Sequence, residues 1–418
     1  MLHPRHRIDI EPDDIALALA ACARRDPRAA HTLERQVSPS EEVIATLSVR
    51  SAFDLLLSSL ALEAGCEVLL SAWTIPDMVR IVRAHGLVPV PLDCDEATLA
   101  PTVETLQRAI TPRSRMLVVA QLFGASVDLA PLASLARSRG LLVVDDDAQG
   151  FNGLARLEGH PLADVSLHSF GTIKTATALG GGLVRVREAR LRDAMRARMS
   201  EWPAQPVARY AKKLATWLAL VAPREPRRYA LLARAIDVGG GDLDRAMTSV
   251  SKGFPAETSE ALLAALRHRP CDALCVTLAR RLARFDGGRI ARRREAGERM
   301  RERFGDAVSM LGDEMRDRTH WLVAVRVADP DTLVRSLRVQ GFDAARGTTT
   351  LSAVPDAPER PEMRAMRCAS WRDSVVFLPA YPEVPERDRD RMVDEVARHA
   401  GRTRKRTVTD RGGRADRT

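Results

Sequence analysis

One lysine and one run of acids carry the chemistry that this 418-residue sequence makes legible. Lys174 closes the segment Ser166-Leu167-His168-Ser169-Phe170-Gly171-Thr172-Ile173-Lys174, which starts as a short apolar strand and is followed by Gly180-Gly181-Gly182. Upstream, the apolar strand Leu141-Leu142-Val143-Val144 ends in Asp145-Asp146-Asp147. Between Met1 and Gly182, Lys174 is the only lysine, and His aside every other cation there is Arg. Arginine keeps its proton, whereas a desolvated lysine releases it, so this lysine points to an amine that must act uncharged. An acid at one strand end and a lone lysine after the next is the spacing that a pyridoxal phosphate (PLP) site needs. The lysine forms a Schiff base with the aldehyde, and the carboxylate keeps the pyridine nitrogen protonated. The plainer alternatives are a surface lysine and a solvated acidic loop.

Further groups fit the same chemistry. Gln149, three residues beyond Asp146, is placed to donate to the phenolic oxygen of such a cofactor. Ser48-Val49-Arg50-Ser51 precedes a helix, and backbone amides at a helix start, with Arg50 and Ser51, can hold a phosphate dianion. Ser51 as an ordinary helix cap is the alternative. Ser169, five residues before the lysine, adds a hydroxyl.

These groups need a scaffold that gathers strand ends. From Val43 onward, apolar runs alternate with helical stretches: strands are expected at 67–70, 87–92, 115–121 and 141–145, and a returning strand at 183–186. That alternation predicts a mainly parallel sheet covered on both faces. Right-handed crossovers place all the strand C-termini on one edge, where ligands bind. An N-terminal helix is expected within 8–25 and an extended polar connection over 25–40. The Arg-rich stretch 190–234 is expected as a helical insertion. A loop at Gly239-Gly240-Gly241 and Gly253-Phe254-Pro255 leads to a small α+β domain. The expected division is thus an N-terminal helix and arm (1–40), a large cofactor domain (41–255), a small C-terminal domain (256–400) and a basic disordered tail (401–418).

Composition excludes several classes. The hydrophobic share is 45% and the charged share 28%, ordinary for a packed globular chain. The formal charge of +9 is concentrated in the tail, which could bind nucleic acid but reads more simply as a solvated end. Cys22, Cys66, Cys94, Cys271, Cys275 and Cys368 show no zinc spacing and fit a reducing cytoplasm. No signal segment is visible, and the apolar stretch 214–222 is too short to span a bilayer.

Taken in order, the motifs resemble the DegT/StrS sugar-aminotransferase family of fold-type-I PLP enzymes. The matching segments are Gly65-Cys66-Glu67-Val68-Leu69-Leu70-Ser71, Gly86 to Asp93, Gln121-Leu122-Phe123-Gly124, Asp145 to Gln149, and Ser169-Phe170 with Lys174 and Gly181-Gly182. Phe377-Leu378-Pro379-Ala380-Tyr381-Pro382 resembles the family's last strand. The resemblance covers about 43–188 well and 321–399 loosely. It implies an α/β, three-layer fold-type-I architecture, with Lys174 as the Schiff-base lysine and Asp146 as the pyridine partner. It places Gln149 at the phenolic oxygen, and Ser169 with the backbone at Arg50 and Ser51 at the phosphate. It implies a homodimer that moves an amino group from a donor such as glutamate to a keto-sugar nucleotide or related carbonyl compound. Arg346 and Lys252 are candidates for a substrate diphosphate. The sequence departs from the family where Val49-Arg50 replaces Gly-Thr, where Ile75 replaces the ring-stacking aromatic, and where Gln121 replaces His. Trp73 is a candidate to supply the missing ring. The asparagine that reaches the phosphate from the partner subunit has no counterpart; 190–234 replaces that stretch. Two other readings remain: a PLP-dependent lyase or dehydratase, which in this family carries His at the lysine position, and a non-catalytic binding protein.

Overall fold

The computed structural model describes residues 1–221, 225–243, 246, 254, 256–315, 317–346 and 351–415. Up to Val186 the strands are β1 (Val43–Thr46), β2 (Glu67–Ser71), β3 (Trp73–Thr74), β4 (Val88–Leu92), β5 (Ser114–Ala120), β6 (Leu142–Asp146), β7 (Val165–Ser169) and β8 (Gly182–Val186). All but β3 form one sheet in the order β1-β8-β7-β6-β5-β2-β4. The strands β4, β2, β5, β6 and β7 run parallel, while β8 returns antiparallel between β7 and β1.

The apolar runs are buried on both faces, with the two-residue period deciding which face each side chain takes. Met116, Val118 and Val144 join one core, against Phe53, Leu56, Met78, Ile81, Leu191 and Met195 from the helices Val49–Leu60, Pro76–Ala84 and Ala189–Ser200. Leu117, Val119 and Val143 join the other, against Leu106, Ala109, Leu132 and Ala136 from Val103–Ala109 and Ala130–Ser138. At about 1.5–3 kcal/mol for each fully buried large aliphatic, this double burial is what holds the strand ends in one row. The three-layer α/β fold expected from the sequence is the fold observed.

The small domain is built on β9 (Ser309–Met310), β10 (Val323–Arg326) and β12 (Val375–Leu378), an antiparallel sheet in the order β12-β10-β9. Its core takes Met300 and Phe304, Leu333 and Leu337, and Met392 and Val396 from the helices Gly287–Phe304, Pro330–Val339 and Glu386–Ala415. The short β11 (Ser352–Ala353) reaches back to pair with β3.

The expectations fail in three places. Residues 25–40 are not an extended connection, because Ala29–Val37 is a helix whose Ala29 and Leu33, one turn apart, are buried. The stretch 190–234 is helical as expected (Ala189–Ser200, Val207–Val221 and Pro226–Val238), and Tyr210, Leu214 and Trp217 of its second helix pack in the core with the N-terminal helix Pro12–Cys22. The domain boundary lies later than 255/256. Leu274, Leu278 and Leu282 of Asp272–Ala283 belong to the large domain's core, and the chain crosses only at 284–286, where Asp286 caps the next helix (Gly288 N to Oδ1, 2.9 Å). Composition is Arg-rich on both sides of that break, so only the buried faces reveal it. The closing helix continues through the segment expected to be disordered, as far as Ala415, with no proline to stop it.

One glycine of the run after Lys174 is dictated by packing. A Cβ on Gly182 would stand 2.7 Å from the Ser48 carbonyl carbon and 2.8 Å from the Val49 nitrogen, where β8 presses on the start of the helix Val49–Leu60. Gly182→Ala is therefore expected to lower stability by about 1–3 kcal/mol, read as a fall in urea midpoint at unchanged m-value; an unchanged midpoint would contradict this packing.

Candidate active site

The ends of β5, β6 and β7 and the start of the helix Val49–Leu60 open onto one cavity of about 470 Å³. Pairing sets the row: Ala120 stands opposite Asp146, Asp146 opposite Leu167, Ser169 opposite Gly182, and Gly182 opposite Thr46. Of the residues expected to act, Lys174, Asp146, Arg50, Ile75, Gln149 and Ser169 all line this cavity; Ser51 does not.

Asp146 is separated from its neighbours by strand alternation. Asp145 and Asp147 point to the opposite face. There the Gln121 side-chain amide donates to Asp145 Oδ1 (2.7 Å), and Arg156 donates to both oxygens of Asp147 (2.8 and 2.9 Å). His168 Nδ1 lies 3.1 Å from Asp147 Oδ2. Burial opposes the charge on Asp147, but His168 and Arg156 outweigh it and hold its carboxyl below the usual range. Asp146 accepts one hydrogen bond, from the Ala148 amide (3.2 Å). Burial pushes its carboxyl up to about 6, against the pull of that amide and of the Lys174 charge.

Lys174 sits in a loop tied down from several directions. Its own amide donates to Gly171 O (3.0 Å), Thr177 Oγ1 donates to Gly171 O (2.7 Å), and the Ala176 amide donates to Asp9 (2.6 Å). The small domain adds Arg293 to Thr175 (3.2 Å) and the Trp321 indole to Ile173 O (3.2 Å). The ammonium group lies 4.4 Å from the Trp321 ring centroid. Among the described residues no carboxylate forms an ion pair with it. Burial pushes the Lys174 amine down to about 8; Asp146 resists this and Arg50 adds to it.

Gln149 uses its carbonyl oxygen to accept from the Phe123 amide (3.0 Å), which leaves its NH2 as the donor on the cavity side. Ser169 lines the cavity close to the Gly171 amide (3.4 Å). Arg50 donates to Asp77 (2.7 Å) and covers the Phe254 ring at 4.8 Å.

Several expectations are corrected. The Ser51 hydroxyl is fully buried and donates to Leu266 O (2.8 Å), and its amide is taken by Ser48 Oγ (3.1 Å). Ser48 is the helix cap and the cavity residue, because the helix starts one turn earlier than expected. Trp73 does not cover the cavity. It is 3% exposed in the core, edge-on to Trp371, while Ile75 alone reaches the cavity wall. Arg346 pairs with Asp331 (3.0 Å) at the surface, away from the cavity; Lys252 lies outside the described residues. Sequence reasoning missed Arg209, Tyr210, Lys212, Lys213, Thr216 and Trp217, all on the cavity wall. The signal was present: Tyr210, Leu214 and Trp217 recur at helical spacing beside the next lysines in the chain.

The buried acid behind the site gives a pH test. Burial, with Asp147 nearby, pushes Asp145 up to about 7, against the pull of Arg156 and Gln121. A raised carboxyl pKa means that the folded state keeps a proton which the unfolded chain has lost. Wild-type stability from this group is thus intact below the unfolded pKa and falls between about pH 4 and 7. Asp145→Asn lacks that loss, so its urea midpoint relative to wild type is expected to rise from pH 4 to pH 8; a difference independent of pH would refute the assignment.

The chain resembles known proteins in sequence and in fold. Residues 32–213 match the sequence model of the DegT/DnrJ/EryC1/StrS aminotransferase family. The fold is shared with an aminotransferase, TlmJ, from Streptoalloteichus hindustanus (20% identity, TM-score 0.66, 96% of this chain and 98% of that one). It is shared with Helicobacter pylori PseC, an aminotransferase involved in pseudoaminic acid biosynthesis (12%, 0.69, 96% and 100%). A third likeness is to 3-amino-5-hydroxybenzoic acid synthase (20%, 0.67, 96% and 100%). At these identities the structural likeness establishes the fold, while the sequence match covers the part that carries Asp146 and Lys174. Residues 32–213 are thus similar in sequence to the DegT/DnrJ/EryC1/StrS aminotransferase family, and the chain as a whole shares its fold with the aminotransferases above.

Proposed function

We propose that the chain binds PLP in this cavity and transfers an amino group from a donor such as glutamate to the carbonyl carbon of a keto-sugar nucleotide or related compound. The observation that carries this reading is the convergence of Lys174, Asp146 and the free Gln149 amide on one buried cavity. The group fits the donors present: a poorly partnered buried carboxylate suits a pyridinium N–H, and a depressed amine suits an aldehyde. When bound, PLP supplies an aldehyde carbon and a ring that accepts electrons.

The protein's own residues do the rest. Asp146 holds a proton at the ring nitrogen, and a cation placed there favours its ionised form. Lys174, with its amine near 8, is in part uncharged at neutral pH and so can take a proton from the reacting carbon and return it one position along. Gln149 donates to the phenolic oxygen. The Val49 and Arg50 amides, the Ser48 hydroxyl and Ser169, all on the cavity wall, would hold the phosphate. Ile75, on the cavity wall, would contribute dispersion contact to the ring. Leu179, Tyr210, Trp217, Phe254 and Leu351 wall the cavity and exclude water, which strengthens the polar contacts inside. Lysine at position 174 argues against the lyase or dehydratase reading. The resemblance also implies a homodimer, and the cysteine pattern fits a reducing cytoplasm; among the described residues no helix is long and apolar enough to cross a membrane.

Purified protein with PLP is expected to show a visible absorption band that Lys174→Ala lacks. Glutamate should bleach the band, with 2-oxoglutarate formed in equal amount. Asp146→Asn should slow that half-reaction at least about 100-fold while the protein still binds PLP. A band that survives Lys174→Ala would remove the lysine from its role, and a band indifferent to every amino donor would favour a binding protein.

A further inference from the structure

Three of the chain's five lysines line this one cavity: Lys174, Lys212 and Lys213. With Arg50 and Arg209 they face a single acid, Asp146, among the described lining residues. Asp146 belongs to the Lys174 side, whereas Arg50 is half-satisfied by Asp77. For Lys213 and Arg209 no ion pair is found among the described residues. The charges that act on Lys213 are the guanidinium groups of Arg50 and Arg209. Burial first, and then both of these, press its amine down to about 8. An amine held inside a cavity beside two like charges is unfavourable as it stands. It becomes favourable when an anion enters between them.

The helix Val207–Val221 is not free to swing this group away. Tyr210, Leu214 and Trp217 are buried on its inner face, and the Tyr210 hydroxyl donates to Ala178 O (2.8 Å) in the loop that follows Lys174. The same wall adjoins the Val49 and Arg50 amides at the start of the helix Val49–Leu60.

We propose that Lys213, with Arg209 and Arg50, holds a phosphate dianion inside the cavity, so that the helix Val207–Val221 completes the anion site from within the same chain. The identity of the ester rests on the PLP reading above; the anion site itself does not. A phosphate monoester of the cofactor and a diphosphate of the carbonyl substrate offer the same charged oxygens, and separate probes distinguish them.

The test titrates the purified full-length protein, stripped of any bound cofactor, with PLP, with pyridoxal, which lacks the phosphate, and with uridine diphosphate. Lys213→Met is expected to weaken PLP binding about 10- to 100-fold and to leave pyridoxal binding unchanged. Lys213→Arg should retain most of the affinity, and thermal melts of both variants should overlay wild type. Unchanged PLP binding with lost uridine diphosphate binding supports the site and assigns it to the substrate's phosphate. Equal weakening of PLP and pyridoxal, or no change with any probe, overturns it. Should wild type bind no PLP at all, the cofactor reading fails by itself, and the uridine diphosphate titration still decides the anion site.

Discussion

The structure depends on keeping a lysine and an aspartate in one desolvated space without letting them neutralise each other. Asp146 and Lys174 interact electrostatically and share a cavity, yet no ion pair closes between them. Their separation is enforced by backbone. Asp146 ends a strand buried on both faces, and Lys174 is fixed by a loop bonded to Asp9 near the N-terminus and to Arg293 and Trp321 of the small domain. A closed ion pair would satisfy both groups and leave neither able to act. Burial without pairing shifts the two toward each other's range, the acid up and the amine down, which is the state that proton transfer near neutral pH requires.

Much of the molecule outside the sheet maintains this arrangement. The small domain docks through Thr319 and Trp321 onto Phe123 and Gly124, and Trp321 places its ring over the Lys174 ammonium. Gly124 is required there: its φ of +81° is left-handed, and a Cβ would stand 2.1 Å from Thr319 Oγ1. Domain docking and lysine placement are therefore one packing problem. Behind the sheet, Asp145, Asp147, Arg156, His168 and Gln121 form a buried polar layer that fixes the register of β6 at its last residues. A slip of one residue there would turn Asp146 away from the cavity and bring its neighbours in.

The cavity's charge balance distinguishes this chain from a minimal cofactor site. Among the described lining residues one acid, Asp146, shares the cavity with several cations, and three of these, Arg209, Lys212 and Lys213, stand on the helix Val207–Val221. Where the sequence departs from the family it resembles, at Val49-Arg50 and within 190–234, residues of both stretches (Val49, Arg50, Arg209, Tyr210, Lys213 and Trp217) line the same cavity. They act as one feature, a more cationic and more enclosed surround, rather than as separate losses.

How much of this could be read beforehand follows from the range of each interaction. Strand runs, the acid at a strand end, the lone lysine and the glycine after it are local patterns. Each is tied to a period of two residues or to a backbone clash, so the sequence alone determined the sheet and the placing of Asp146 and Lys174 at its strand ends, where both line one cavity. Which of three adjacent aspartates entered the cavity was already implied by alternation, but not its phase. Long-range packing decided the rest. Ser51 is out of the cavity because Leu266 took its hydroxyl, Trp73 because it packs edge-on against Trp371 in the core, and Lys213 lines the cavity because Tyr210 and Trp217 bury its helix against the Lys174 loop. Side-chain partners far apart in the chain leave no mark on either segment by itself. Only the folded arrangement selects which polar group is consumed by structure and which is left to act.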